Sequence, residues 1–449
     1  MKEYTAESIR NVALVSHSGA GKTSLVEALL YQTGAINRMG KIAEGNTASD
    51  YEDEEIRRQQ SLSTSVLPIE FEGRKLNLLD TPGFTDFVGE AISALYVSVG
   101  AVVLADAVAG VEVGTELLWG HCDSFALPRL VVISKMDREN ASFKRAMESV
   151  RTLATEVSFI AAQLPIGEQH QFEGVVDLLS MKARMGPGAD KQDIPPDLRE
   201  AAEEARVALV EAAAEGDDSL LEKYLEGTEL SPQEVLAGLR AAVRSRRFVP
   251  VFLTAAAQSV GVVPLMEAMA ALLPSPKQAP ERRATGPGGE QPLGADDAGA
   301  LAAYVWKTTA DPFVGRLTYL RVFSGVLSSD SRVWNAAREQ EERLGPLHVM
   351  RGKEQLLVKV LHAGDLGAVA KLGATSTGDT LCDRGHPLKV PMPEYPKPLY
   401  SVAVLPKTQA DSAKISSVLT RLSEEDPTLS WRQEGSTNQT ILQGMGDQH

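Results

Sequence analysis

Cysteine is almost absent: Cys122 and Cys382 are the only two in 449 residues, far apart and without metal-ligand spacing. That excludes a disulfide scaffold and points to two reduced, buried thiols. Long apolar runs are missing too. The longest uncharged stretch, Ala91 to Ala105, is too short and too rich in Gly and Ser to span a bilayer. Met1-Lys2-Glu3-Tyr4 opens the chain without the apolar core of a secretion signal, so a soluble, cytoplasmic protein is expected. Positive charge is in deficit, 45 Lys and Arg against 60 Asp and Glu, a formal net of −15. Such an excess of acid argues against non-specific coating of nucleic acid and leaves room for a local basic contact. The seven histidines are scattered without ligand spacing, and no metal or catalytic role falls to them. What remains is an ordinary globular balance, 43% hydrophobic and 23% charged, long enough for about three domains.

From Asn11 to about Met147, short β-branched runs alternate with amphipathic helices. Val12–Val15, Leu76–Leu79, Ala101–Leu104 and Leu130–Ile133 read as buried strands of a parallel sheet with helices on both faces. A fifth strand, Val249–Leu253, arrives a hundred residues later, which makes about 155–247 an insertion into a domain spanning 1–275. Between Asp190 and Glu234 the insertion carries fourteen acids against four bases. Much of this charge lies on an expected helix, Asp197 to Glu215, whose apolar side is Ala202, Ala205, Val207, Leu209 and Val210. The acids make either a solvated face or a docking surface for a basic partner. Residues 276–299 read as a loose linker and 300–390 as short strands without a helix, hence a small antiparallel barrel. A stiffer linker, 391–398, precedes strand, helix and two strands in 399–449. These spell the start of a split βαβ unit, as though the chain were cut inside its third domain.

Chemistry concentrates at the ends of the first strands. Ser16-His17-Ser18-Gly19-Ala20-Gly21-Lys22-Thr23 lies between a strand and a helix, the context of a phosphate-binding loop. Backbone amides of Ser18, Gly19, Ala20, Gly21, Lys22, Thr23 and Ser24 can wrap phosphates there. Lys22 supplies charge that stabilises the phosphates, its catalytic contribution, and Thr23 a hydroxyl for Mg²⁺. Ser16 replaces the first glycine of the usual pattern. After the next long-range strand, Asp80-Thr81-Pro82-Gly83 offers a carboxylate for Mg²⁺ and the Gly83 amide for a terminal phosphate. After the fourth stands Ser134-Lys135-Met136-Asp137. The Asp137 carboxylate can accept from the N1–H and exocyclic amine of guanine while the Lys135 stem covers the base. Adenine offers no such donor pair. After the fifth, Ala255 and Ala256 can present a backbone amide to the guanine O6.

With these four elements in order, the chain resembles elongation factor G, a translational GTPase, or one of its paralogues. Support extends to Gln163-Leu164-Pro165-Ile166-Gly167 and Gly174-Val175-Val176-Asp177-Leu178 in the insertion. In the barrel it rests on Asp311-Pro312-Phe313-Val314-Gly315-Arg316-Leu317 and Ala363-Gly364-Asp365-Leu366-Gly367-Ala368-Val369, and near the end on Gly444-Met445-Gly446. The resemblance implies an α/β P-loop GTPase domain with an inserted α+β subdomain, an antiparallel β-barrel, and the start of a ferredoxin-like third domain. It implies GTP or GDP and Mg²⁺ as ligands, and a monomer with no membrane partner. Its implied partner is the ribosome, through the large-subunit stalk and GTPase-activating region, with translocation or a related step as the task. Glu203, Glu204 and Glu211 become candidates for the stalk contact. The family's mobile-loop Arg-Gly-Ile-Thr falls on Arg58-Gln59-Gln60-Ser61. Ser61 is then the Mg²⁺ ligand beside Thr23 and Asp80, with Ser63 and Thr64 as alternative registers.

Four positions depart from the family. Phe84 stands where its His positions the attacking water, and a phenyl ring can neither accept a proton nor orient that water. Gly19 replaces an aspartate, Ser134 an asparagine and Ala255 a small hydroxyl residue. None removes a main phosphate or Mg²⁺ anchor, so nucleotide binding with slow intrinsic hydrolysis is expected. The alternative is a hydrolysis-deficient guanine-nucleotide sensor acting through protein contacts. Lys135 with Asp137 argues against a P-loop kinase or ATPase.

Overall fold

The computed structural model describes residues 2–311 and 315–449. Pro312, Phe313 and Val314 of the barrel motif lie outside the described residues. The chain divides into two compact units, Arg10–Gly83 with Ser98–Ser275, and 1–9 with Phe84–Val97 and Pro276–His449.

In chain order the first unit begins with β1 (Ile9–Val15), α1 (Lys22–Gln32), α2 (Asp53–Arg58), β2 (Ser65–Phe71) and β3 (Arg74–Asp80). After α3 (Val88–Val97), which belongs to the second unit, come β4 (Gly100–Asp106), α4 (Val113–Ser124), β5 (Arg129–Ser134), α5 (Phe143–Val150) and β6 (Ser158–Ala161). Seven strands form one sheet in the order β2-β3-β1-β4-β5, then β11 (Phe248–Leu253), then β6. Pairing is parallel from β1 through β4, β5 and β11 to β6, whereas β2 and β3 are antiparallel. All residues of β1, β4, β5 and β11 are buried, as expected of strands covered on both faces. The sheet therefore contains the five expected strands, with an antiparallel edge at β2. At the other edge β6 lies inside the segment read as insertion; its four residues, Ser158-Phe159-Ile160-Ala161, are too few to show a pattern.

The insertion proper holds a four-stranded antiparallel sheet, β7 (Gln163–Ile166), β8 (Gly174–Asp177), β9 (Lys182–Met185) and β10 (Asp190–Gln192). It continues with helices α6 (Arg199–Ala214), α7 (Asp218–Leu225) and α8 (Pro232–Arg244), before β11 and α9 (Val262–Leu272). Ser231-Pro232-Gln233-Glu234 starts α8 with a capping box and proline in the first turn. The buried stripe of α6 is Ala202, Leu209, Ala212 and Ala213. Val207, placed on the apolar side by the sequence reading, is exposed because it falls off the 202–209–213 line at 100° per residue. Arg184 binds Glu267 through two hydrogen bonds of 2.8 Å, tying the inserted sheet to α9.

The second unit is built on an eight-stranded antiparallel sheet. Its longest pairing joins β14 (Ala302–Asp311) to β15 (Gly315–Ser324), and its core includes Val305, Leu320, Val322, Leu347, Val349 and Leu381. The 276–299 segment differs from the expected linker. It forms a hairpin, β12 (Arg282–Gly286) with β13 (Gly289–Leu293), and Thr285 exchanges backbone hydrogen bonds of 2.8 and 2.9 Å with Lys389. Its residues are mostly polar and exposed, so no period-2 apolar signal marks it. The 391–398 stretch contains no helix or strand. Beyond it, the strands β16 (Tyr400–Val404), β17 (Ser430–Glu434) and β18 (Gln439–Gly444) make a three-stranded antiparallel sheet in the order β16-β18-β17, with α10 (Gln409–Glu425) between the first two in sequence. This is the expected opening of a split βαβ domain.

Within this unit α3 is held at both ends. Arg282 and Arg321 donate to the carbonyls of Tyr96 and Val97 in its last turn, where cations complement the helix dipole. Burial lowers the Arg321 pKa to about 9, and its guanidinium stacks 4.5 Å from the Phe323 ring centre. In the first turn Glu90 pairs with Lys307 of β14 at 2.7 Å, both side chains being largely buried. Breaking a buried ion pair strands the other charge, so Glu90→Ala is expected to destabilise the protein by about 3 kcal/mol. The double substitution with Lys307→Met restores most of that loss, as read from urea-unfolding midpoints. Equal midpoints for Glu90→Ala and the unsubstituted protein would refute this.

Candidate functional site

Seven buried residues of β1 lead into the loop Ser16–Gly21. Gly21 has φ +98°, in the left-handed region that glycine enters without strain, and α1 starts at the next residue. Lys22 is buried and folds back over the loop. Its Nζ donates to the Ser16 carbonyl (3.1 Å), the Ser16 hydroxyl (3.1 Å) and the His17 carbonyl (3.2 Å). Desolvation lowers its pKa to about 8, partly opposed by the charges of Asp80 and Asp50. Ser16 thus does more than tolerate the position of the missing glycine; its hydroxyl helps to hold the lysine. Gly83 lies so close that a side-chain carbon there would collide with Lys22 Nζ and the Ser18 amide.

At the far side of Lys22 several oxygens converge. Thr23 Oγ1 is 3.3 Å from Ser61 Oγ, and Ser49 donates to Asp80 Oδ2 at 2.7 Å. Asp80 Oδ1 and both carboxylate oxygens of Asp50 are buried without a well-formed hydrogen bond among the described residues. Burial raises the pKa of both groups. Asp50 reaches about 7, first through desolvation and then through the neighbouring Asp80 charge, with the nearby Ser61 hydroxyl opposing. Two buried acids beside two hydroxyls form an oxygen-only donor set. In an octahedral Mg²⁺ shell with bonds of about 2.1 Å, adjacent ligands lie about 3 Å apart, close to the Thr23–Ser61 separation. The residues therefore fit Mg²⁺. Of the three alternative registers Ser61 is the one at Thr23, while the Ser63 amide turns to Glu55. Asp50 is not among the site residues that the sequence motifs nominate.

The base end is organised by Lys135, whose left-handed backbone (φ +58°) turns its side chain over the phosphate loop. Its Nζ pairs with Asp106 at 2.7 Å and donates to the Gly19 carbonyl, and its stem runs beside Gly21. The Ser134 hydroxyl reaches the Ala20 carbonyl at 2.6 Å and that of Ala105 at 3.2 Å, bracing the loop against β4. Asp137, half-buried, follows two residues later. Strands β5 and β11 are parallel neighbours, and the Met136 amide donates to the Thr254 carbonyl at 3.1 Å. Ala255 does not fit its expected role, because its amide is committed to the Val260 carbonyl at 3.0 Å. Ala256 opens a 3₁₀ turn, where a first amide has no partner inside the turn.

A cavity of about 260 Å³ is lined by Ser18, Gly19, Gly21, Lys22, Thr23, Ser24, Asp50, Ser61, Gly83 and Lys135, among others. It brings together the phosphate-loop, Mg²⁺ and Lys135 positions. Ala20, Asp80 and Ser134 are buried and lie outside the lining of this cavity. Phe84 falls in the second compact unit, half-buried, its carbonyl accepting from the Phe87 amide.

Comparison with known proteins agrees along the chain. Residues 7–275 match the model of the elongation factor Tu GTP-binding domain. Residues 300–384 match elongation factor G domain 2, and 395–449 match elongation factor G domain III. A crystal structure of a Thermus thermophilus protein superposes with a TM-score of 0.89 at 35% identity, over 98% of this chain and 64% of that one. The described residues contain no helix long and apolar enough to cross a membrane. With its nucleotide-loop geometry and all three domain matches in chain order, this protein belongs to the elongation factor G-like translational GTPases.

Proposed function

We propose that the protein is a guanine-nucleotide-binding translation factor that acts on the ribosome and hydrolyses GTP slowly by itself. The observation that carries the guanine assignment is Lys135, pinned between Asp106 and the Gly19 carbonyl, with Asp137 two residues on. Asp137 accepts from the two donors on the guanine edge, and the Ala256 amide serves its O6. The phosphates displace the loop carbonyls as partners of the Lys22 ammonium, and the amides from Ser18 to Ser24 enclose them. Thr23 and Ser61 would ligate Mg²⁺ directly, with Asp80 and Asp50 holding its water. The ion supplies positive charge against the phosphates. The Gly83 amide meets the terminal phosphate.

Hydrolysis is a separate matter. Position 84 offers a phenyl ring where the family resemblance implies an imidazole, so no side chain there takes a proton or orients water. Phe84 equally favours a second reading, a guanine-nucleotide sensor whose output is a protein contact without turnover. On the inserted subdomain Glu203, Glu204 and Glu211 are all exposed, and Glu211 also accepts from the Tyr224 hydroxyl at 3.2 Å, which leaves Glu203 and Glu204 the better candidates for a stalk contact. Affinity for a basic partner falls steeply with salt, and a flat salt dependence of stalk binding would assign these acids to solvation alone.

Two further measurements test the reading. Calorimetry should show GDP and GTP binding but no comparable ATP binding. Asp137→Asn should weaken GTP roughly 10- to 100-fold and favour xanthine nucleotides, because a charged acceptor of two hydrogen bonds is lost. Unchanged selectivity would remove Asp137 from the base site. In single-turnover phosphate release on ribosomes, Phe84→His should accelerate the reaction by about 100-fold, the lower end of general-base contributions. Fast release by the unsubstituted protein would overturn the claim for Phe84, and ribosome-independent behaviour throughout would favour the sensor.

A further inference from the structure

The loop carrying Ser61 is closed by one buried carboxylate outside the donor set described above. Glu55 lies in the first turn of α2, where its Oε2 accepts from the Glu52 amide at 3.3 Å as half of a capping box. In an ordinary capping box that contact is the whole of the glutamate's task. Here the other oxygen, Oε1, takes two more amides, Leu62 N at 3.0 Å and Ser63 N at 3.2 Å. Glu55 is only 2% exposed, so these bonds form away from competing water.

The path of the chain shows what the carboxylate accomplishes. Helix α2 ends at Arg58, and its C-cap Gln59 holds φ +54°, a left-handed conformation unfavourable for a residue with a Cβ. The Gln60 amide then returns to the Glu55 carbonyl at 3.1 Å. Ser61 follows, and the next two amides are gathered by the Glu55 side chain. Ser61 therefore stands at the apex of a short loop whose two ends are both tied to residue 55, and its hydroxyl is delivered to Thr23. In this closed loop the Ser61 hydroxyl lies 3.3 Å from Thr23 Oγ1, while the Ser63 amide is held by Glu55.

We propose that Glu55 is a positioning residue for the triphosphate state, setting Ser61 at the Mg²⁺ site without touching nucleotide or metal. The inference rests on the reading that Ser61 binds Mg²⁺ when a γ-phosphate is present.

The test uses the full 449-residue chain and equilibrium binding of GTPγS and GDP in the presence of Mg²⁺, comparing Glu55→Ala, Ser61→Ala and the double variant. Glu55→Ala is expected to weaken GTPγS roughly tenfold, the loss of hydrogen bonds to a charged acceptor, while GDP affinity stays within about twofold. Ser61→Ala should behave alike, and the double variant should lose no more than either single one. Glu55→Gln keeps a neutral acceptor for Leu62 and Ser63, disturbs folding least, and should lower the GTPγS-to-GDP preference by about threefold. Loss of preference in Ser61→Ala but in neither Glu55 variant would overturn the role of Glu55 alone. Equal weakening of both nucleotides by the Glu55 variants, or additive losses, would also overturn it by revealing a general structural effect. An unchanged preference in Ser61→Ala would overturn the Ser61 reading and this inference together.

Discussion

A buried ammonium group imposes the main electrostatic constraint on this structure. Lys22 sits beneath the phosphate loop, drawn down to a pKa of about 8 by loss of water, and three loop oxygens hold it in place. Beside it, Asp50 and Asp80 are buried with oxygens that have no well-formed donor, and each raises the cost of charging the other. Such an arrangement is poorly neutralised by protein alone. An anion with several oxygens together with a divalent cation resolves both halves at once, because the anion meets the lysine and the cation meets the acids. On the proposed reading, a nucleotide with its metal would therefore satisfy this arrangement better than either component separately.

How much of this could be read without coordinates depended on where the chemistry is written. The phosphate loop, Asp80, Gly83, Lys135 and Asp137 sit at the ends of strongly apolar strands, and short motifs at strand ends carry their context with them. The helix Gln409–Glu425 was legible within 399–449 because Thr408 and Asp411 make a capping box at its start. The hairpin at 282–293 was invisible for the opposite reason: it is held by backbone exchange with Lys389, and backbone bonds leave no apolar pattern. Asp50 and Glu55 were hidden in a polar stretch, Ser49-Asp50-Tyr51-Glu52-Asp53-Glu54-Glu55, where any acid resembles solvated charge. Burial alone separates these two from their neighbours, and burial of a loop is set by distant segments. Ala255 was misjudged because a backbone amide's partner, here Val260, cannot be read from residue type.

The departures from the family fall into two physical kinds. On the proposed reading Ser16 and Gly19 occupy places where the loop backbone binds phosphate, and the Ser16 hydroxyl accepts from Lys22. Ser134 is shorter than asparagine yet still braces the loop through the Ala20 carbonyl. Binding of a polyanion by main-chain groups is therefore tolerant of such replacements. Activation of water is not, since it needs one polar group at one place, and no backbone atom substitutes for an imidazole. Phe84 is of this second kind. On the proposed reading, a replacement at the position that orients water bears on turnover before it bears on recognition, and this chain carries Phe84 there beside Lys22, Thr23, Asp80 and Asp137.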